Sequence, residues 1–163
     1  MRPGDHPEFF RFPPPKGQSR ESTIVLDAQG QFWHDGAKVE RRAMARAFAS
    51  WLRRHPDDER WILSNGYDWT YLDVQGTPYF VEGLREHGDA VRAVLSDGSE
   101  EPLDVESLRI VEDDVLLVRV KSQSFDAKFS RTAQLELGPW LDTAADGTLV
   151  VEIAGKTYPI AGK

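Results

Sequence analysis

The chain has 163 residues, 40% of them hydrophobic and 29% charged, a composition that excludes wholesale disorder and leaves room for one sizeable core or two small subdomains. Its net charge of −7 argues against a general binder of nucleic acid, because neutralising phosphates needs surplus lysine and arginine. Zero cysteines exclude disulfides, thiolate zinc sites and cysteine nucleophiles, and no apolar run approaches the roughly 20 residues of a membrane helix.

The start, Met1-Arg2-Pro3-Gly4, lacks the apolar stretch of a secretory signal, so a cytoplasmic protein is expected, with neither membrane nor nucleic acid as partner. Residues 1–20 carry Pro3, Pro7, Pro13, Pro14 and Pro15 and few aliphatics, which predicts an irregular, extended arm that Phe9, Phe10 and Phe12 could pin to the body. Ile24-Val25-Leu26, the turn Asp27-Ala28-Gln29-Gly30 and Gln31 to His34 read as a hairpin, with Asp35-Gly36 closing it. Met44, Ala47, Phe48, Trp51 and Leu52 then fall at i, i+3, i+4, i+7 and i+8, predicting a helix from about Glu40 to His55 that Pro56 stops. His55-Pro56-Asp57 matches the signature tripeptide of J-domain co-chaperones. The β-rich sequence that follows is incompatible with that all-helical domain.

Trp61-Ile62-Leu63 predicts a strand, and Trp69 to Val74 a second one. In the latter, Thr70, Leu72 and Val74 face a core, while Trp69, Tyr71 and Asp73 form a junction or ligand wall. Tyr79-Phe80-Val81 continues that sheet. Hairpins follow at Ala90 to Leu103 and at Leu108 to Val120, then a half-buried strand from Phe125, a helical segment between Thr132 and Leu141 limited by Gly138-Pro139, and strands at Leu149–Ile153 and Thr157–Ile160. The ending echoes the opening, each with an Asp-plus-Gly turn, a short apolar strand, a second Gly turn and a brief strand, which suggests an internal duplication. The domain reading is an arm at 1–20, an α+β subdomain at 21–85 and a β-rich subdomain at 86–163.

Charge is segregated. Arg41, Arg42, Arg46, Arg53, Arg54 and Arg60 crowd the helix region, and Asp97, Glu100, Glu101, Asp104, Glu106, Glu112, Asp113 and Asp114 a later one. These are either solvated faces or, for the basic one, a patch for an anionic ligand or partner. No phosphate loop, dinucleotide fingerprint, nucleophile elbow or zinc-protease motif is present. The four histidines are scattered, so no metal and no cofactor is expected. Arg41, Arg119 and Arg131 either pair with carboxylates or clamp an anionic ligand, and Trp69, Tyr71 and Tyr79 either fill a seam or offer a stacking wall.

In order, Gly30, Phe32, Gly36, Val39 and Arg41, the segment Met44 to Leu52, Asp57-Asp58, Trp61-Ile62-Leu63, Val118-Arg119, Ala127, Arg131 and Tyr158-Pro159-Ile160 resemble a bacterial family without assigned activity, domain-of-unknown-function family 1285. The resemblance runs colinearly from Ile24 to Ile160. The chain departs from the family at residues 64–67, where Ser64-Asn65-Gly66-Tyr67 replaces Thr-Pro-Val-Glu, and at 75–77, where Gln75-Gly76-Thr77 precedes the shared Pro78. The resemblance implies an α+β fold, with one N-terminal helix packed on two related small β-rich subdomains, the second loosely like a pleckstrin-homology barrel. It also implies a small-molecule site between them and a role in signalling.

The expectation is a non-catalytic module for a small anionic or heterocyclic ligand, using Arg41, Trp69, Tyr71, Tyr79, Arg119 and Arg131. The alternative is a protein-interaction module acting through the basic helix face and the proline-rich arm. An enzyme is the third reading and has the least support; a cleft holding paired, perturbed carboxylates would revive it.

Overall fold

The prolines do not leave the arm irregular. In the computed structural model, which describes residues 1–162, Pro3–Asp5 and Pro7–Arg11 are short 3-10 helices, each opened by a proline whose ring presets φ. Gly4 donates its N–H to the Gly66 carbonyl at 2.8 Å, so close that a Cβ there would lie 2.8 Å from the Gly66 Cα. Phe10 is 3% exposed against Ile62 and Trp69, and Arg11 forks onto both oxygens of Asp57. The arm is part of a core.

The chain divides into two units, Met1 to Pro78 and Tyr79 onward. In the first, strands β1 (Val25–Leu26), β2 (Phe32–His34) and β3 (Ala37–Lys38) are followed by helix α1 (Arg42–Trp51), then β4 (Leu52–Arg54), β5 (Trp61–Ser64), β6 (Trp69–Tyr71) and β7 (Asp73–Val74). They form two sheets, ordered β3-β2-β1-β7 and β4-β5-β6. The helix is shorter than its periodicity predicts. Leu52 turns extended, and Leu52, Arg53 and Arg54 pair with Leu63, Ile62 and Trp61, so ladder hydrogen bonds to β5 outcompete another helical turn. Phe48 meets Phe32 edge-on at 5.5 Å, whereas Met44, on the predicted apolar stripe, is 47% exposed.

Trp69 to Val74 is also not one strand. It changes sheets at Leu72, with β6 antiparallel to β5 (Ile62 opposite Tyr71) and β7 parallel to β1 (Val25 opposite Asp73). The switch buries both Trp69 and Leu72, at 6% and 8%, where simple alternation would place them on opposite faces.

The second unit holds β8 (Tyr79–His87), β9 (Ala90–Leu95), β10 (Glu100–Pro102), β11 (Arg109–Val111), β12 (Val115–Val120), β13 (Phe125–Phe129), helix α2 (Arg131–Leu137), β14 (Leu141–Thr143), β15 (Leu149–Ile153) and β16 (Lys156–Pro159). Its six-stranded sheet runs β10-β9-β8-β13-β12-β11, with β8 and β13 parallel at its centre, and β14-β15-β16 form a meander. The unit begins at Tyr79 rather than after residue 85, because β8 pairs along its length with β9 and at its start with β13. Val81, Leu95, Leu108, Val118, Phe129, Leu137 and Val151, all at most 1% exposed, form its core. Ser130 caps α2 by accepting the Ala133 N–H at 3.1 Å.

The two Asp-plus-Gly turns share one hydrogen-bond pattern. Asp27 N–H bonds the Gln31 carbonyl and Gly30 N–H the Asp27 carbonyl; Ala144 and Thr148, and Gly147 and Ala144, repeat it. Each meander then turns through a left-handed pair, Asp35-Gly36 (φ 52°, 78°) or Ala154-Gly155 (φ 54°, 78°).

Candidate functional site

Above the β4–β5 hairpin loop lies a cleft of about 320 Å³ lined by Glu21, Ser22, Arg60, Trp61, Tyr71, Leu72, Asp73 and Val74. Local chain geometry sets it up. His55 N–H bonds the Arg60 carbonyl at 2.8 Å and the Arg60 N–H bonds Asp58 Oδ1 at 2.9 Å, so the loop closes with Arg60 at the start of β5. The β5–β6 register sets Ile62 opposite Tyr71, and the Arg60 guanidinium stacks on the Tyr71 ring, 3.6 Å from its centroid. Arg60 Nη2 donates to both Glu21 oxygens, at 2.7 and 2.9 Å, while its Nε and Nη1 make no hydrogen bond to the described residues. Asp73 lines the same cleft, exposed, with no side-chain partner among the described residues.

The Tyr71 hydroxyl donates to Asp58 Oδ2 at 2.7 Å. Burial, and then that hydrogen bond to a carboxylate, push the phenol up to about 12, so it stays a neutral donor at physiological pH. Burial also pushes Asp58 upward, but the Tyr71 hydroxyl and Arg60 amide donors outweigh it and hold Asp58 below the ordinary carboxylate value. His55, 5% exposed, places Nε2 3.1 Å from the Phe10 carbonyl and accepts the Asp57 N–H on Nδ1 at 3.1 Å. With Nδ1 accepting, Nε2 is the ring nitrogen placed to donate to the Phe10 carbonyl. The cleft therefore offers a free guanidinium edge and a free carboxylate, beside aromatic rings already stacked by Arg60 and His55 (Tyr71) and by Arg54 (Trp61). The Ser22 hydroxyl that also lines it donates to the Tyr71 carbonyl.

The expected site residues separate as follows. Trp69 and Tyr71 come together, edge to face at 5.1 Å, but Trp69 is buried under the Arg20 guanidinium (4.6 Å) and only Tyr71 reaches this cleft. Arg41 is the exposed N-cap of α1. In the second unit, Tyr79 is 4% exposed with Lys121 Nζ 5.4 Å from its ring centroid, and burial, then the charges of Asp97 and Glu101, push its hydroxyl up to about 12. Arg119 donates to Asp126 Oδ1 at 2.8 Å and to the Gln123 carbonyl, and Arg131 is the exposed first residue of α2. Of the remaining lining residues, Asp73 stood in the sequence only as part of the Trp69-Tyr71-Asp73 wall, and Arg60, Glu21 and Trp61 were not among the expected site residues. Arg60 was visible as one of six clustered arginines, but what singles it out is the β5–β6 register, which sequence does not display.

Among the described residues no three His, Asp or Glu side chains gather as a metal site, and no helix is long and apolar enough to cross a membrane.

The domain-of-unknown-function family DUF1285, through the model of its N-terminal domain, matches residues 12–68. Among solved structures the chain is similar to a DUF1285 family protein from Silicibacter pomeroyi DSS-3, at 17% identity over 93% of this chain and 92% of that one with a TM-score of 0.67. It is also similar to a DUF1285 family protein from Shewanella baltica OS155, at 17% identity over 69% and 87% with a TM-score of 0.55. No curated protein matches. The resemblance read from the sequence thus stands, and the shared fold is of mixed α and β composition.

Proposed function

Starting from a DUF1285-type N-terminal domain, we propose that this protein is a non-catalytic binding module whose cleft takes a small heterocyclic anion, and that occupancy is read as a signal. The observation that carries this reading is Arg60, held flat on Tyr71 by stacking and by Glu21 while two of its nitrogens stay available. An oxyanion on that edge makes charge-assisted hydrogen bonds, and a ring is taken beside Trp61 with a ring N–H directed to Asp73, since Arg60 and His55 already cover the Tyr71 ring. A volume of about 320 Å³ stands at the small end of ligand sites. Glu21 sets the selectivity, because it competes with any ligand carboxylate or phosphate for the same guanidinium.

The finer family expectation, two related units with the second loosely pleckstrin-homology-like, belongs to the same proposal. The repeated turn at 27–31 and 144–148 supports the first part, and a six-stranded sheet followed by a helix supports the second. A protein-interaction role through the exposed Arg41 and Arg42 draws no support from the arm, whose Phe10 is buried.

Thermal-shift and calorimetric titration with nucleoside monophosphates and heterocyclic carboxylates tests the reading. A ligand present at 100 times its dissociation constant adds roughly 2.7 kcal/mol. Arg60→Ala abolishes that gain and Glu21→Gln increases it. A ligand that stabilises wild type and Arg60→Ala equally overturns the assignment of this cleft.

A further inference from the structure

Three consecutive prolines, Pro13, Pro14 and Pro15, leave the backbone one choice. Each ring sets φ near −65°, and each residue followed by a proline, here Phe12, Pro13 and Pro14, is driven to extended ψ. Phe12 accordingly has φ −71° and ψ 140°, the values of a polyproline II helix, and Pro13 and Pro14 belong to no other helix or strand. That helix turns every three residues, so Phe12 and Pro15 share one ridge. Phe12 is 65% exposed, Pro13 and Pro15 are exposed, and Pro14 is half-buried. Two of the three ridges are therefore open to solvent. Both ends of the segment are pinned. Before it, Phe10 is buried and Arg11 forks onto Asp57. After it, the Gln18 N–H bonds the Pro15 carbonyl at 2.9 Å across a turn in which Gly17 takes φ 83°, and Arg20 donates to Asp68 Oδ1 at 2.7 Å and to the Trp69 carbonyl at 3.0 Å. Lys16, exposed on that turn, has no ion pair among the described residues.

We infer that Phe12 to Pro15 is a preformed docking ridge for a partner protein domain whose groove is lined by aromatic side chains and edged by a carboxylate that meets Lys16. Aromatic grooves take polyproline II segments because proline rings fit between flat side chains and the segment has little freedom left to lose. Here the pinned ends remove more of that freedom, and the Phe12 ring supplies the large apolar contact. Phe10 is the tether of the ridge rather than part of its contact surface. The inference does not depend on the Arg60 cleft, which none of residues 12–16 lines.

The test titrates the full-length protein calorimetrically with an SH3 domain and a WW domain, two defined aromatic grooves. The full chain is expected to bind at least one of them, roughly five- to tenfold more tightly than the free peptide of residues 9–18, which has to be ordered on binding. Phe12→Ala and Pro15→Ala each lower the affinity tenfold or more and leave the melting midpoint unchanged, because both side chains are exposed. Backbone NMR order parameters at Phe12 and Lys16 are expected near the rigid value of about 0.85, and values below about 0.6 overturn the preformed ridge. So do failure to bind either groove, equal affinity of chain and peptide, or undiminished binding in both variants. Self-association that Phe12→Ala removes gives the ridge to a second copy of this chain and equally overturns the inference.

Discussion

Replacing Phe10 by alanine tests whether the proline-rich arm is structure or appendage. The ring is 3% exposed and lies within 5.1 to 6.0 Å, centroid to centroid, of Phe9, His55 and Trp69, with the Arg53 guanidinium 4.5 Å from its centroid. Truncating a buried phenylalanine costs about 3–5 kcal/mol, and loss of the cation–π contact adds about 0.5–1 at a partly exposed site. Relaxation of a terminal segment offsets part of this, giving an expected loss of about 3–4 kcal/mol against the 5–15 kcal/mol typical of a whole domain. For a unit of this size that lowers the midpoint by roughly 12 °C or more. Four of the five tryptophans, Trp33, Trp51, Trp61 and Trp69, report on the first unit, so urea denaturation followed by indole fluorescence isolates its transition. Phe10→Leu, which keeps most of the volume, is expected to cost about 1 kcal/mol. A loss under about 1 kcal/mol in Phe10→Ala, with no faster proteolysis of residues 1–20, refutes the arm as a core element.

Tyr71 and Tyr79, both pushed up to about 12, titrate late in an absorbance titration at alkaline pH. Because each keeps its proton in the folded state above the unfolded value of about 10, the stability they contribute is full below about pH 10 and lost as pH rises towards 12. Asp126 behaves oppositely. Burial pushes it upward, but hydrogen bonds from Arg109 (2.9 Å) and Arg119 (2.8 Å) outweigh that and hold it below the ordinary carboxylate value. Its contribution is present above about pH 4 and lost on acidification, so Asp126→Asn flattens the acid limb of the unfolding curve of the second unit. Lys121, Ser122 and Gln123 carry φ of 56°, 58° and 65° in succession, a left-handed run pinned by Lys121 Nζ on Asp97 (2.7 Å) and by Arg119 on the Gln123 carbonyl. The exposed Ser122, changed to glycine, is expected to gain about 0.5–1 kcal/mol in denaturant midpoints, and a loss would show that the strain is not where φ places it.

Most elements were legible because their signals are local. The Asp27–Gly30 turn, the hairpin around Asp113-Asp114 and the break after Leu137 at Gly138-Pro139 all lie where glycine, proline and alternation put them. What sequence could not give was long-range choice. Leu52 to Arg54 continue a helical stripe yet pair with β5, and Leu72 divides an alternating run between two sheets. The site failed for the same reason. Tyr71 was identified from its residue type, but its partners Arg60 and Glu21 meet it only through strand register and the path of the chain before Ile24. Trp69 read as a wall and is instead a buried indole beneath Arg20, because the sheet switch turns it inward.

The parallel pairing of β8 with β13 has a consequence for synthesis. Tyr79, Phe80 and Val81 bond to Ala127, Lys128 and Phe129, so as the chain leaves the ribosome β8 can fold back only onto β9. Until residues 125–129 are made, the central strand of the second unit presents an apolar, unpaired edge, while everything the first unit needs has already emerged. A product that terminates between β9 and β13 therefore leaves the β8 edge open, the kind of unpaired strand edge through which chains associate.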